Sequence, residues 1–320
     1  MQTSGATLPA SDMALDKIRA LTASINRVVL GKEDKVKVAV ATLLARGHLL
    51  MEDVPGVGKT TLSRAIAQSV QCDFKRIQAT SDLLPSDIIG VSIYDASRGT
   101  FEFRRGPIFT SVLLVDEINR ATPRTQSSLL QAMSECAVTT DQTTYPLGPL
   151  FFVIATQNPA EQIGTYLLPE SQLDRFAVRI SLGYPPTASE EKMIYDQMHG
   201  HPIENVKPVC TAQDVVAAQD EVRNVHLEPR VAKYILAVVE RTRNRDELAA
   251  GVSPRGALSL VRLAQAYAYL EGRDFVAPDD VKTLAAPALA HRVTFRGGLR
   301  TTLDEEYALM RRIVEEVEVP

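Results

Sequence analysis

A glycine-rich loop between an apolar run and a helical pattern restricts the possible folds of this chain more than any other feature. The loop reads Pro55-Gly56-Val57-Gly58-Lys59-Thr60 and follows the apolar run 48–51. It fits the phosphate-loop pattern G-x-x-x-x-G-K-[ST] except at the first glycine, where Asp53 stands. Glycines let backbone N–H groups curl around phosphate oxygens, and the N-terminus of the following helix adds a favourable dipole. The loop therefore predicts a strand–loop–helix unit that binds a triphosphate.

The polar residues of this loop have predicted roles in binding a nucleotide together with Mg²⁺. Lys59 would contact the β- and γ-phosphates, and the Thr60 hydroxyl would ligate Mg²⁺. The alternative is a Gly/Lys turn that arose by chance, which the strand–loop–helix context disfavours. The predicted nucleotide-binding residues in this part of the chain are Pro55, Gly56, Val57, Gly58, Lys59, Thr60 and Thr61.

Further short segments predict a parallel sheet with helices between its strands. Buried parallel strands read as short continuous apolar runs, and chemistry in such sheets collects at the carboxyl ends of the strands. Here those ends carry the phosphate loop, an Asp-Glu pair and an asparagine. The segments that follow the first strand are 74–78, 112–115, 151–155 and 177–181.

Two adjacent carboxylates end the most aliphatic of these runs. Asp116 suits Mg²⁺ coordination, and Glu117 suits a general base that orients and deprotonates the attacking water. Asn158 ends the next strand, where its amide could hold the same water against the γ-phosphate. Solvated turn acids and an ordinary asparagine turn are the alternatives, and the phosphate loop upstream disfavours both.

The chain divides into segments of different character. Residues 1–11 are small and polar and predict a disordered tail. Residues 12–184 predict the α/β core, which two hairpin insertions at about 90–105 and 137–150 interrupt. Residues 185–320 show helical periodicity and no strand pattern of weight, so they predict an all-helical second domain.

Composition restricts the partners and the compartment. The net charge of −4 argues against a general nucleic-acid binder, which usually carries a basic excess. The three cysteines form no C-x-x-C pair, and their odd number cannot close a full disulfide framework, so a cytoplasmic location is expected. No apolar run approaches the ~18–20 residues of a membrane span, so a membrane-spanning segment is not expected.

The order of these motifs resembles the AAA+ ATPases, and within them the MoxR group, over roughly residues 25–310. The Glu-Asp pair in place of the first loop glycine also looks like this group. The stretches that carry the resemblance are Val29-Leu30-Gly31-Lys32, Glu52-Asp53-Val54-Pro55-Gly56-Val57-Gly58-Lys59-Thr60, Asp116-Glu117-Ile118-Asn119-Arg120-Ala121, Ala155-Thr156-Gln157-Asn158-Pro159, Leu168-Pro169-Glu170-Ser171-Gln172-Leu173-Asp174-Arg175-Phe176 and Ser253-Pro254-Arg255.

The resemblance implies a doubly wound core with strand order 5-1-4-3-2, followed by a helical lid. It implies a sensor-1 role for Asn158, a sensor-2 role for Arg255 and, for Arg175, the role of an arginine finger that reaches a neighbour's nucleotide. Val29 and Leu30 match the segment that lines the adenine pocket. Planar guanidinium groups suit this work, because charge spreads over the γ-phosphoryl oxygens in the transition state.

The resemblance also implies the activity and the partners. Such proteins form rings, commonly hexamers, hold ATP and Mg²⁺ between subunits, and convert ATP and water to ADP and phosphate. The preferred hypothesis is an ATPase that remodels or matures client proteins, including proteins with von Willebrand factor A domains. The alternatives are a nucleotide-gated assembly scaffold, a DNA-remodelling motor and the ATPase subunit of a metal chelatase.

Two sets of residues keep open alternatives. Arg120 and Arg124 follow the acid pair and suit either a second contact across subunits or a solvated helix face. The aromatic residues Tyr94, Phe101 and Phe103 suit either packing within the hairpin or a grip on a substrate.

Overall fold

The computed structural model describes residues 10–158, 164–198, 200–298 and 301–320. The predicted disordered tail, residues 1–11, lies outside the described residues except for its last two members, which begin the first helix.

Helices and strands alternate in the first part of the chain, and helices dominate the second. The helices are α1 (Ala10–Asn26), α2 (Glu33–Leu44), α3 (Lys59–Ser69), α4 (Pro85–Ile89), α5 (Pro123–Glu135), α6 (Glu170–Leu173), α7 (Thr187–Met198), α8 (Ala212–Val222), α9 (Pro229–Arg243), α10 (Pro254–Leu270), α11 (Pro278–Leu289) and α12 (Leu303–Glu315). The strands are β1 (Leu49–Glu52), β2 (Phe74–Gln78), β3 (Gly90–Asp95), β4 (Thr100–Arg105), β5 (Val112–Asp116), β6 (Ala137–Thr140), β7 (Thr143–Pro146), β8 (Phe152–Gln157), β9 (Val178–Ile180), β10 (Leu248–Ala250) and β11 (Thr294–Phe295).

A five-stranded parallel sheet forms the centre of the first part, in the order β2-β5-β8-β1-β9. This is the predicted order 5-1-4-3-2 read from the other edge, so the predicted fold class is confirmed. Strands β1 and β5 are buried throughout, which explains their continuous apolar sequences. Strand β2 lies at the sheet edge and is mostly exposed or half-buried, which explains its polar sequence FKRIQ.

Two antiparallel hairpins, β3–β4 and β6–β7, stand outside this sheet. They pack on each other, because Phe103 stacks on Tyr145 with ring centroids 4.4 Å apart and Ser92 hydrogen-bonds Asp141. Towards the tip of the first hairpin, the rings of Tyr94 and Phe101 lie 5.2 Å apart, and their side chains are exposed. Phe103 therefore packs within the hairpins, whereas the other two aromatic rings face outward.

Three of the C-terminal helices begin with a proline. Proline occupies the first turn of α9, α10 and α11, where its missing N–H costs no hydrogen bond. Ser253 caps α10, with its hydroxyl accepting a bond of 3.2 Å from the backbone N–H of Gly256. None of the helices in the described ranges is long and apolar enough to cross a membrane.

The packing of these helices departs from a simple division at residue 184. Helices α1 and α2 precede the sheet in sequence, yet they contact α8 and α10, and one apolar cluster runs through both sets. Lys17 on α1 also pairs with Asp214 on α8 at 2.7 Å. The second part is not wholly helical either, since β10 and β11 form an antiparallel pair. Strands of two and three residues are too short to leave a periodic pattern in the sequence.

Candidate functional site

The glycine-rich loop joins β1 to α3 and leaves an open cradle at the N-terminus of that helix. Gly56 and Gly58 have φ values of +88° and +99°, and a Cβ atom at either position would meet no atom within 4 Å. Glycine is therefore needed for the left-handed backbone and not for lack of space. Gly58 caps α3, and its carbonyl accepts the first-turn bond from Leu62 N–H at 2.9 Å.

Lys59 lies across this loop. Its Nζ donates to the backbone carbonyls of Asp53 at 2.6 Å and Val54 at 3.1 Å. Burial lowers the pKa of Lys59, and the carboxylates of Asp53, Asp116 and Glu117 oppose that change. The ammonium group is thus positioned between the loop and the acid pair. Thr60 and Thr61 follow it in the first turn of α3 and are half-buried.

Asp53, at the position of the missing glycine, anchors the loop to the end of β9. Its Oδ2 accepts hydrogen bonds from Ser181 Oγ at 2.9 Å and from Gly183 N–H at 2.7 Å. Its Oδ1 accepts a bond of 3.0 Å from Val54 N–H. The motif has a flexible glycine at this position, whereas the Asp53 side chain ties the loop to the segment that follows β9. Sequence reasoning missed this role, because the partners that follow β9 lie about 130 residues away.

Asp116 ends β5 beside the loop and is 7% exposed. Its Oδ2 accepts a bond of 2.6 Å from Arg76 Nε, and its Oδ1 accepts one of 3.2 Å from Thr156 Oγ1. Arg76 lies on the edge strand β2 and is about half exposed, with 52% of its side chain accessible. The Arg76 guanidinium therefore contacts the carboxylate that is predicted to bind Mg²⁺.

Glu117 adopts the left-handed conformation with φ +56°. This conformation is strained for a residue with a Cβ atom, costing about 1–3 kcal/mol, and such strain often accompanies functional sites. Its N–H donates to Thr156 Oγ1 at 2.9 Å. Its Oε2 accepts a bond of 2.9 Å from Gln78 Nε2 and pairs with Arg120 Nε at 3.1 Å. Both partners thus contact the same carboxylate oxygen.

Three residues around the acid pair were not predicted from the sequence, namely Arg76, Gln78 and Thr156. The first two lie on the same strand with i, i+2 spacing, so their side chains face the same side of the sheet. Gln78 is the register partner of Asp116. That strand spacing was a signal in the sequence, but only the strand order identifies β2 as the neighbour of β5.

Asn158 follows β8 at the same edge of the sheet and is buried, 6% exposed. Residue Gln157 before it is the register partner of Glu52, and its carbonyl accepts a bond of 3.2 Å from Asp53 N–H. The structure therefore brings the loop, the acid pair and Asn158 to adjacent strand ends.

The predicted adenine segment lies between α1 and α2. Val29 is buried and Leu30 is half-buried. A Cβ atom on Gly31 would lie only 2.6 Å from Ser189 Oγ, so this segment packs tightly on the start of α7. Lys32 Nζ donates to the Tyr184 carbonyl at 2.5 Å. The segment thus joins the chain that leads from the sheet into the C-terminal helices.

The two predicted arginines lie away from the acid pair. Arg175 is held against α5, where its Nη1 donates to the Leu130 carbonyl at 2.8 Å and to Ser134 Oγ at 2.7 Å. Arg255 is exposed in the first turn of α10. Burial lowers the pKa of the neighbouring Arg292 to about 10; Asp174 opposes that change, and the charge of Arg255 adds to it.

The oxygen donors at the site match the chemistry of Mg²⁺. Thr60 supplies a hydroxyl and Asp116 a carboxylate, and Mg²⁺ normally takes few protein ligands beside phosphate oxygens and water. Within the described ranges, no group of three or more His, Cys, Asp or Glu side chains could hold a metal ion by itself.

The chain is similar to known proteins over most of its length. Residues 48–178 match the ATPase family associated with various cellular activities (AAA), and residues 240–313 match the AAA lid domain. Protein YeaC of Bacillus subtilis is 49% identical over 296 residues, covering 92% of each chain. Chaperone MoxR1 of Mycobacterium tuberculosis is 35% identical over 305 residues, covering 92% of this chain and 80% of the relative. A crystal structure of a Cytophaga hutchinsonii protein, 36% identical, superposes with a TM-score of 0.86 over 97% of both chains.

Proposed function

The chain belongs to the MoxR family of AAA+ ATPases and hydrolyses ATP, and from that premise we propose a ring-forming, Mg²⁺-dependent ATPase that remodels or matures client proteins. The observation that carries the proposal is the convergence of the phosphate loop, Asp116, Glu117 and Asn158 at adjacent strand ends. The same edge is where parallel α/β sheets bind ligands.

In this proposal the phosphates displace the present partners of two cations. Lys59 exchanges two neutral carbonyl acceptors for charged phosphate oxygens, which form stronger hydrogen bonds. Arg76 would release Asp116 as Mg²⁺ takes its place, since this buried carboxylate needs a cation beside it. Thr60 and Asp116 would hold Mg²⁺, and the ion would supply positive charge that stabilises the triphosphate.

Glu117 serves as the general base for water. Its carboxylate orients a water molecule towards the γ-phosphorus and accepts a proton as the water oxygen attacks. Gln78 and Arg120 restrict where that carboxylate points. Asn158 holds the same water from the neighbouring strand. ADP leaves with phosphate as the second product, and the proton on Glu117 passes to solvent.

The arginine assignments lead to a site shared between copies of the chain. Arg175 bonds to α5 in its own chain, on a surface that a neighbour could approach. We place its guanidinium at the nucleotide of the next subunit in a head-to-tail ring, commonly a hexamer, and Arg255 at the nucleotide of its own subunit. Head-to-tail contacts close into rings when the rotation between subunits permits.

The proposed action on client proteins is supported by similarity to the family and by one exposed aromatic pair. The relative named Chaperone MoxR1 supports a chaperone-like function, and partners with von Willebrand factor A domains follow by analogy only. The exposed pair Tyr94 and Phe101 offers an aromatic contact for a client. The three free cysteines support a cytoplasmic location, where ATP is available.

Mixing two inactive variants tests the shared site. Arg175→Ala and Glu117→Gln should each abolish most turnover, since an arginine finger contributes about 10³–10⁵-fold to rate. A mixture places an intact finger beside an intact base and should recover part of the activity. Arg262→Ala, an exposed arginine on α10, is the matched control and should keep full turnover. No recovery at any mixing ratio would refute the shared site.

The Glu117→Gln variant also separates the alternative functions. It should bind ATP and retain a client without changing it, because hydrolysis supplies the energy. If client maturation proceeds normally with this variant, a nucleotide-gated scaffold is the better description. Tight DNA binding that weakens steeply with salt would instead favour a DNA-remodelling motor.

A further inference from the structure

A buried ion triad links the sheet to the last helix of the chain. Arg179 on β9 is the centre, with 8% of its side chain exposed. Its Nε and Nη2 both donate to Glu52 Oε2 at the end of β1, at 3.0 and 2.7 Å. Its Nη1 donates to Glu306 Oε2 on α12 at 2.8 Å. One guanidinium therefore bridges two elements separated by about 250 residues in sequence.

Further hydrogen bonds hold both ends of this triad. Glu306 Oε1 accepts a bond of 3.0 Å from Thr301 Oγ1. The next residue on α12, Tyr307, donates its hydroxyl to the Arg179 carbonyl at 2.5 Å. At the other end, Gln157 Nε2 donates to Glu52 Oε2. The first turn of α12 is thus attached to β9 by side-chain and backbone contacts together.

The triad is one residue away from the nucleotide site on two strands. Glu52 directly precedes Asp53, whose carbonyl accepts the Lys59 ammonium. Gln157 directly precedes Asn158. A displacement of Glu52 or Gln157 therefore moves the backbone that carries the loop and the sensor asparagine.

The energetics of such a triad indicate that it orients its side chains more than it stabilises the fold. Two carboxylates share one guanidinium in a buried place. The cost of removing these charges from water offsets much of the attraction between the guanidinium and each carboxylate. Burial raises the pKa of Glu306, with the Arg179 charge opposing the change. Apolar residues of similar volume often stabilise such a position equally well. A planar guanidinium, by contrast, fixes the direction of each carboxylate that it contacts.

We propose that Arg179 and Glu306 are positioning residues for ATP hydrolysis, through which the attachment of α12 sets the geometry of the phosphate loop and Asn158. The inference rests on the nucleotide site proposed above. Coupling between two equilibria is reciprocal, so ATP binding strengthens the attachment of α12 by the same factor by which that attachment strengthens ATP binding.

The test compares two substitutions on the same helix. Glu306→Gln removes the charge from the triad, and Glu315→Gln removes the same charge from an exposed position near the end of α12. For each protein we would measure kcat, KM, ATP affinity, and hydrogen exchange of residues 303–310 with and without ATP. Glu306→Gln should lower kcat/KM about fivefold or more and abolish the ATP-dependent protection of α12. Glu315→Gln should retain wild-type values, and identical behaviour of the two variants overturns the proposal.

A replacement that removes all three charges of the triad separates positioning from stability. The triple variant Glu52→Gln, Arg179→Met, Glu306→Leu leaves no charge in the triad and should regain thermal stability lost in Glu306→Gln. Its kcat/KM should stay low, because no guanidinium orients the strand ends. Recovery of activity together with stability would show a merely structural role. Lys59→Ala serves as a separate check, because retained ATP affinity there contradicts the nucleotide site and not the triad.

Discussion

Acid should destabilise this protein through one buried histidine, His48, at the start of β1. Its Nδ1 accepts a bond of 3.1 Å from Val153 N–H on β8. Its Nε2 lies 3.2 Å from the Met133 carbonyl on α5 and donates to it in the matching neutral tautomer. A protonated ring would turn a second N–H towards Val153 N–H, which is already a donor.

The size and sign of the effect follow from the pKa. Burial lowers the pKa of His48 from 6.5 to about 4. Between these values the unfolded chain binds the proton and the folded chain does not, so the free energy of unfolding falls as pH decreases. The contribution is fully present above pH ~6.5, and about 2 kcal/mol is lost by pH ~5 and about 3 kcal/mol by pH ~4.

Urea unfolding between neutral pH and pH ~5 measures this effect. His48→Gln cannot ionise but still has an amide N–H for the Met133 carbonyl. The variant should be less stable at neutral pH, since Val153 N–H loses its acceptor, yet about 2 kcal/mol less sensitive to acid by pH ~5. His291 is also buried, with a pKa well below the ordinary value, and is present in both proteins, so it cancels in the difference. Equal pH dependence of the two proteins, or a His48 ring titrating near 6.5 by NMR, would refute the reasoning.

Two further predictions concern the phosphate loop. Lys59→Ala should weaken ATP binding itself by at least about tenfold, because a charge-assisted contact contributes roughly 1.5–3 kcal/mol; calorimetry with Mg²⁺ and ATP measures this, and Arg64→Ala on the exposed side of α3 is the control. Unchanged affinity in Lys59→Ala contradicts the loop assignment. Asp53→Ala should release the loop from Ser181 and Gly183 and lower stability by about 2–4 kcal/mol, since two donors lose a charged acceptor. A melting temperature equal to that of the wild type would show that this anchor contributes nothing.

Most of the fold could be predicted from local patterns and the family resemblance. The buried strands read as short aliphatic runs, the prolines mark the starts of the C-terminal helices, and the glycine-rich loop joins a strand to a helix. The residues predicted from motifs also lie together at the strand ends, including Lys59, Asp116 and Glu117. Their roles in binding and catalysis stay predictions that the variants above address.

Other features could not be interpreted from the local sequence. Arg76 and Gln78 read as ordinary polar strand residues until the strand order places them beside Asp116 and Glu117. The division near residue 184 also stays a prediction, because α1 and α2 share their apolar cluster with the C-terminal helices.

The sequence alone determined most elements of secondary structure and the motif residues of the site, because periodicity, glycine and proline act over a few neighbouring residues. Only the tertiary structure decided which charged side chains pair with which distant partners. Asp53 reaches Gly183, and Arg179 joins Glu52 to Glu306, across 100 residues or more of chain. A hydrogen bond acts over about 3 Å in space whatever the separation in sequence, so such pairs exist only once the sheet and α12 have packed.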